Sequence, residues 1–541
     1  MVRADWYKLD NVGKFYASQA GRGGQTVFRF CATMADPVDP SALQAAVDQA
    51  VERYPGFNVR LRSGLFWHYL EPAQEPPCVQ PENLPICANL HSDVTSVLMR
   101  VSWHGNRINL EISHIIADGR GTMELFNTLL GAYVAIRHHA PVRQVVDSVP
   151  AQRRAEDSYT ANFEPKKAGS GKRVKNYRMA AWKNSAEPTF MEFHLSANAV
   201  HAKAKSMGVS VTSLVIAAVI VSIRQTMPAS KRNRAIHMDI PVDLRATFGS
   251  DTLRNFFGLA YVSYTPGAVD QSLEDIARNV QVQLKDATRP EELKRRMNRM
   301  LKLEKNPALR VAPVFLKDGA LMLADMMSAR EVTTTVSGIG RIPMDPAVQP
   351  YVRNINLFTS TRGFNVLFCT FDDDLSVTFS SVYINHDVER NFVRLFAQMG
   401  IEGTINMNKD AQQVDDDLRL TQLEKLLDLD KSRARRKKRA KKRALADKAK
   451  RTNCANRAQD AKGAPDAWVA RGTQDAWGAR DAKGARGAKS AWGAREAWGA
   501  QGTQSGSLVQ PAKPAQPIEP AGATEPARPA QPASLKGGDA R

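Results

Sequence analysis

The chain has 541 residues, 43% of them hydrophobic, and a formal charge of +20, enough length and apolar content for more than one core. The charge is concentrated: from Lys431 onward there are 25 Lys and Arg against 9 Asp and Glu, a net +16, leaving +4 on the first 430 residues, which excludes a uniformly basic nucleic-acid-binding body. Five thinly spread cysteines exclude a disulfide framework, and with an N-terminus that lacks the apolar core of a signal peptide they set the expectation of a cytoplasmic protein.

Val27 to Met34 reads as a strand. Asp39 and Pro40 then supply an N-cap and an N1 proline for a helix with Leu43, Val47, Val51 and Tyr54 on one face. Phe57 to Leu61 and Leu65 to Leu70 read as a strand pair across Ser63-Gly64, and Val97 to Trp103 with Ile108 to His114 as a hairpin turning at Gly105-Asn106.

The most informative stretch closes that hairpin. Ile108, Leu110 and Ile112 share one strand face, with Arg107, Asn109, Glu111 and Ser113 on the other, and the same period carries His114 to the apolar face. Asp118 and Gly119 follow at the start of a helix showing Met123, Phe126, Leu130 and Val134. A histidine on an interior face beside a helix start suits a general base working inside a channel. The plainer reading is a core histidine, with Asp118 an ordinary N-cap.

Residues 141–186, rich in Lys, Arg, Ser, Pro and Gly, read as a crossover linker between an N-terminal half, 1–140, and a C-terminal half, 187–408. The second half begins with a strand near Thr189 and a buried helix from Ser213 to Thr226, whose run Leu214 to Ile223 is too short to span a bilayer. Strands are expected at Ala235 to Pro241 and Gly258 to Tyr264, and Ser272 with Asp275 forms a capping box for a helix showing Leu273, Ile276, Val280 and Leu284. Glu331 to Val336, Phe364 to Phe371 and Leu375 to Val382 read as strands, and a helix from Val388 to Met399 closes the body. Strands separated by helices, with antiparallel neighbours, make this an α/β sandwich. Residues 409–541 form a basic, low-complexity tail with units such as Ala476-Trp-Gly-Ala-Arg480, too poor in apolar residues to build a core, so disorder is expected. No metal-ligand spacing occurs among Cys78, Cys87 and Cys454.

Trp6 to Asp10, Tyr54-Pro-Gly-Phe57, His114-Ile-Ile-Ala-Asp-Gly119, Pro241-Val-Asp-Leu-Arg245 and Thr252-Leu-Arg-Asn-Phe256 together resemble the CoA-dependent acyltransferase superfamily. That group holds chloramphenicol acetyltransferase, the condensation domains of nonribosomal peptide synthesis, polyketide-associated acyltransferases and alcohol acetyltransferases, and the last two branches look nearest. The resemblance covers roughly residues 5–405. It implies two chloramphenicol acetyltransferase-like sandwich halves around a central tunnel, with His114 taking a proton from an acceptor hydroxyl or amine that attacks the thioester of acyl-CoA. It implies no bound cofactor or metal. The family aspartate pairs with an arginine away from substrate, so Asp118 is scaffolding, Gly119 allows close approach, and Arg245 is the candidate partner. Ser113 stands where condensation domains usually carry a histidine, and no Asp-Phe-Gly-Trp-Gly string occurs, which favours a stand-alone alcohol O-acetyltransferase-like enzyme. Ser337 and Thr335 are oxyanion-donor candidates by type alone.

Three other readings stay open: a donor held by a carrier protein, condensation chemistry in lipid or peptide assembly, and an inactive acyltransferase-like module anchored by its basic tail. The tail itself has two possible partners, nucleic acid or an anionic membrane. A chain with two halves supplies both tunnel walls, so a monomer is expected.

Overall fold

A computed structural model describes residues 6–20, 26–91, 95–143, 149–164, 176–179, 183, 188–267, 271–304, 312–328 and 331–409, with positions 413 and 419. The chain divides into two units, Met1–Ala449 and Lys450–Arg541, and the second lies outside the described residues, as do the expected disorder of the tail, the Cys454 position and most of the expected crossover.

In the N-terminal part, β1 (Tyr7–Lys8) and α1 (Asn11–Ala17) precede β2 (Val27–Met34) and α2 (Pro40–Arg53), which is capped by Asp39 as its sequence requires. β3 (Val59–Ser63) and β4 (His68–Pro72) join β1 in a small sheet of order β1-β4-β3. The expected strand from Leu65 is shifted: Leu65, Phe66 and Trp67 form the connecting turn and are exposed, because their apolar side chains have no sheet face to cover there. β5 (Gln80–Pro81), β6 (Met99–His104) and β7 (Arg107–Ser113) continue the main sheet, with Gly105 at positive φ (56°) in the β6–β7 turn. α3 (Gly119–His138) buries Met123, Phe126, Leu130 and Val134 against that sheet together with Leu43 and Val47 of α2. β7 is covered on both faces, not one. Its Glu111 is fully buried, accepting from Arg29 (2.8 Å), Arg100 and the Cys87 amide (2.7 Å), so the polar side of the strand is an internal ion-pair layer.

After α4 (Ala151–Arg154) and α5 (Ser158–Ala161) come β8 (Thr189–Ser196), α6 (Ala197–Ser206), α7 (Val211–Thr226), β9 (Ile236–Asp243), α8 (Arg245–Phe248) and β10 (Phe257–Tyr264). The chain continues through α9 (Leu273–Ala287), α10 (Pro290–Glu304), α11 (Val314–Ser328), β11 (Thr334–Arg341), β12 (Val352–Thr359), β13 (Phe364–Phe371), β14 (Asp374–Ser381), α12 (Asp387–Gln398) and β15 (Gly403–Met407). The Ser272/Asp275 capping box of α9 is formed in both directions. A seven-stranded sheet of order β10-β9-β11-β13-β14-β8-β15 packs on α6, α7, α9 and α12 around a second core. Among the described residues no single helix is long and apolar enough to cross a membrane. α6 and α7 pass such a test only together, bent by 86°, and α7 is core.

One strand crosses the expected boundary between halves. β12 leaves the second sheet and pairs antiparallel with β2, giving the five-stranded order β12-β2-β7-β6-β5. Its Ile355 and Leu357 complete the first core, with Leu367, Cys369 and Phe371 of β13 beside them. The first core therefore requires residues from beyond position 187, and 1–140 is not self-contained.

Candidate active site

β7 ends at Ser113, and the chain turns at once, the Ile116 amide donating to the Ser113 carbonyl (3.0 Å). His114 sits in that turn, held by its backbone: its amide donates to the Thr26 carbonyl (2.7 Å), and its carbonyl accepts from Asn255 Nδ2 (2.8 Å). The imidazole stacks on Tyr16 (centroids 4.8 Å, planes 14° apart) and lies against Phe28 at 4.3 Å. Nδ1 is enclosed without a hydrogen-bond partner, while the ring lines a cavity of about 1320 Å³. Burial lowers the His114 pKa to about 4, outweighing the opposite pull of Asp118. The ring is neutral at pH 7, a weaker base than an unperturbed imidazole and always in its proton-accepting form.

Asp118 takes no part in that ring's hydrogen bonding. It caps α3 by accepting from the Gly121 amide (3.0 Å), accepts the Phe256 amide (2.8 Å), and is gripped by the Arg245 guanidinium at 3.0 and 2.9 Å. That two-pronged pair is nearly buried, with side chains 11% and 6% exposed. Arg245 also donates to the Thr252 carbonyl (2.8 Å), the Arg254 carbonyl (2.6 Å) and Asp243 (2.9 Å). It is a rivet between the two halves.

Gly119 lies where a Cβ would stand 2.9 Å from the Ile339 side chain of β11. Gly121, which the motif reading passed over, is tighter still: a Cβ there would meet the Leu253 carbonyl oxygen at 1.9 Å. The α3 N-terminus and the 252–256 segment thus touch backbone to backbone.

Sequence reasoning assigned no role to Asp10 or Asn255, although both lie in the segments that carry the family resemblance. Asp10 caps α1 through the Gly13 amide (2.6 Å) and accepts from Asn255 Nδ2 at 3.1 Å, the same amide that holds the His114 carbonyl. Burial raises the Asp10 pKa to about 7. Tyr16 was also missed, because no local pattern marks a residue that stacks on a histidine 98 positions away. Thr335 and Ser337 both line the cavity, and Thr335 Oγ1 donates to Asp239 (2.7 Å), a cavity carboxyl whose pKa burial raises to about 6. Among the described residues no group of His, Cys, Asp and Glu is arranged to hold a metal ion.

Residues 194–379 match the family described as phthiocerol/phthiodiolone dimycocerosyl transferase C-terminus. A search of curated protein sequences gives no match. Among solved structures, F. sporotrichioides TRI101 complexed with coenzyme A and T-2 superposes with a TM-score of 0.51 at 11% identity, over 74% of this chain and 100% of that one. The first condensation domain of the calcium-dependent antibiotic synthetase, complexed with a substrate analogue, gives 0.50 at 16% identity, over 73% and 96%. The chain has the CoA-dependent acyltransferase fold. In this acyltransferase fold the cavity has walls from both halves, with Tyr16, Phe28 and His114 on one side and Asp239, Phe257 and Thr335 on the other.

Proposed function

We propose that this protein transfers an acyl group from CoA to a small alcohol or amine, with His114 as the general base. The observation that carries the reading is the placement of His114: its ring lines a deep cavity between two halves, neutral, with its neighbouring carboxylate turned away into Arg245. The acceptor hydroxyl or amine gives its proton to Nε2 while its oxygen or nitrogen attacks the thioester carbonyl. The tetrahedral intermediate then collapses, the C–S bond breaks, and the imidazolium returns the proton to the leaving thiolate. No covalent enzyme intermediate is required, because the thioester is already activated. The TRI101 neighbour was solved with coenzyme A, which supports CoA as the donor on this fold.

Thiol release from a panel of acyl-CoAs with mixed alcohols and amines tests the proposal. Acceptor-dependent release is expected from the wild type, falling by about 10²–10⁴ in His114→Ala, the usual contribution of a general base. Undiminished turnover in the variant removes His114 from the chemistry. Release only from an acylated carrier protein, with free acyl-CoA inert, reassigns the donor.

A further inference from the structure

Several large exposed apolar side chains gather in one place near the cavity. The β3–β4 turn presents Leu65 (70% exposed), Phe66 and Trp67, and it is pinned to the first turn of α11. The Val314 amide donates to the Leu65 carbonyl (3.0 Å), and Lys317 Nζ donates to the Phe66 carbonyl (2.9 Å) while lying 3.4 Å above the Trp67 ring. From that junction α11 shows solvent a stripe of Phe315, Leu316, Gly319, Ala320, Leu323 and Ala324. No polar side chain stands in the stripe, whereas a surface helix ordinarily places its charges there. The α11 charges Lys317, Asp318 and Asp325 stand outside the stripe and line the cavity, which the stripe itself reaches at Ala320 and Ala324.

We infer that this surface docks the chain onto an anionic lipid bilayer. Leu65, Phe315, Leu316 and Leu323 enter the boundary between headgroups and acyl chains, and Trp67 takes the interfacial position its amphipathic ring favours. Lys14 and Lys317, both over the Trp67 ring, stand at the cavity rim beside the patch. Charge complementarity selects this occupant: a small apolar insertion binds reversibly, and firm attachment takes a second, polybasic signal. The run Lys431 to Arg451 supplies that signal in sequence. Nucleic acid would engage the cations but leaves exposed leucine and phenylalanine side chains without a counterpart along its phosphates. Because Phe66, Trp67 and Lys317 also line the cavity, docking sets its mouth against the bilayer. This surface is independent of the acyl-transfer chemistry, and its test reads binding alone.

The test is flotation of the full chain with phosphatidylcholine vesicles, with and without phosphatidylglycerol, for wild type and for Leu65→Ser/Phe315→Ser/Leu316→Ser. All three positions are exposed, and an unchanged thermal unfolding midpoint checks the fold. Phe315→Ser alone serves as a milder variant. Binding to the anionic vesicles is expected, weakened about tenfold or more by the triple variant and less by the single one. Deletion of 431–541 is expected to weaken binding without removing its dependence on the patch. The proposal is overturned if wild type stays off anionic vesicles, if the triple variant binds as wild type does, or if binding follows the tail alone. It is equally overturned if patch-dependent binding goes to an oligonucleotide instead, or if wild type is a dimer that the triple variant dissolves.

Discussion

The imidazole of His114 is pulled down by burial to about 4, and this has a definite sign for both activity and stability. In the native state it binds a proton only below about 4, whereas the unfolded chain binds it near 6.5, so stability is lost as pH falls through that window. Activity follows the native value: the acid limb of the kcat/KM profile is expected near pH 4, and a limb near 6.5 would show that the ring is solvated in the working enzyme. Asp10 behaves oppositely. Its carboxyl keeps its proton up to about 7 in the fold against 3.8 ordinarily, so native stability declines as pH rises between those values. Asp10→Asn, which keeps an acceptor for the Gly13 amide, is expected to flatten that decline in urea unfolding measured at successive pH values. Arg245→Ala leaves Asp118 buried without its cation and is expected to cost about 3–5 kcal/mol of stability, visible as a lower unfolding midpoint. His114→Ala, by contrast, should remove activity with a far smaller stability loss.

Elements with a clear period were legible. α2, α3 and α9 sit where their apolar spacing and caps place them, and α12 where its apolar spacing does, since a cap and a 3.6-residue stripe are local properties. The elements that escaped notice share a different property. β12 carries Asn354 and Asn356 within its span, and Asn356 reads as a loop residue until its buried partner Ser376 on β14 is known. α11 exposes apolar residues on the side that normally signals solvent, and its few charges, Lys317, Asp318 and Asp325, line the cavity instead, so its pattern does not read as an ordinary surface helix. The motif glycines divide similarly: Gly119 was noticed, but the stricter constraint falls on Gly121, whose crowding neighbour is Leu253. Gly121→Ala must separate α3 from the 252–256 segment to clear backbone at 1.9 Å. It is therefore expected to destabilise by about 1–3 kcal/mol and to reduce turnover, whereas a local helix-propensity gain would predict a rise in midpoint.

Across the whole described fold, β12 is what makes the two halves interdependent. It is contributed by the later part of the chain to the earlier sheet, where it covers the outer edge of β2. Further ties join the halves at Arg107–Glu192 (2.6 Å) and Asp118–Arg245 (2.9 Å). Ile355→Ala on this strand, fully buried in the first core, is expected to cost about 2–5 kcal/mol. Faster hydrogen exchange should appear in the β2 amides, far away in sequence. Exchange confined to β12 itself would show that the strand is only laid upon a self-sufficient sheet.

By itself the sequence determined the elements whose signals are local: the caps, the amphipathic stripes, the hairpin at Gly105, and the His-x-x-x-Asp-Gly arrangement at a strand-to-helix junction. It also determined where the charge lies, because composition needs no fold. Tertiary structure alone decided that β12 completes the first sheet and that Asp10 and Asn255 brace the His114 turn. It also decided that burial against Tyr16 and Phe28 lowers the imidazole pKa rather than leaving it near neutrality. Each of these depends on residues brought together from distant positions, and their energies arise from desolvation and close packing, which no spacing along a chain records.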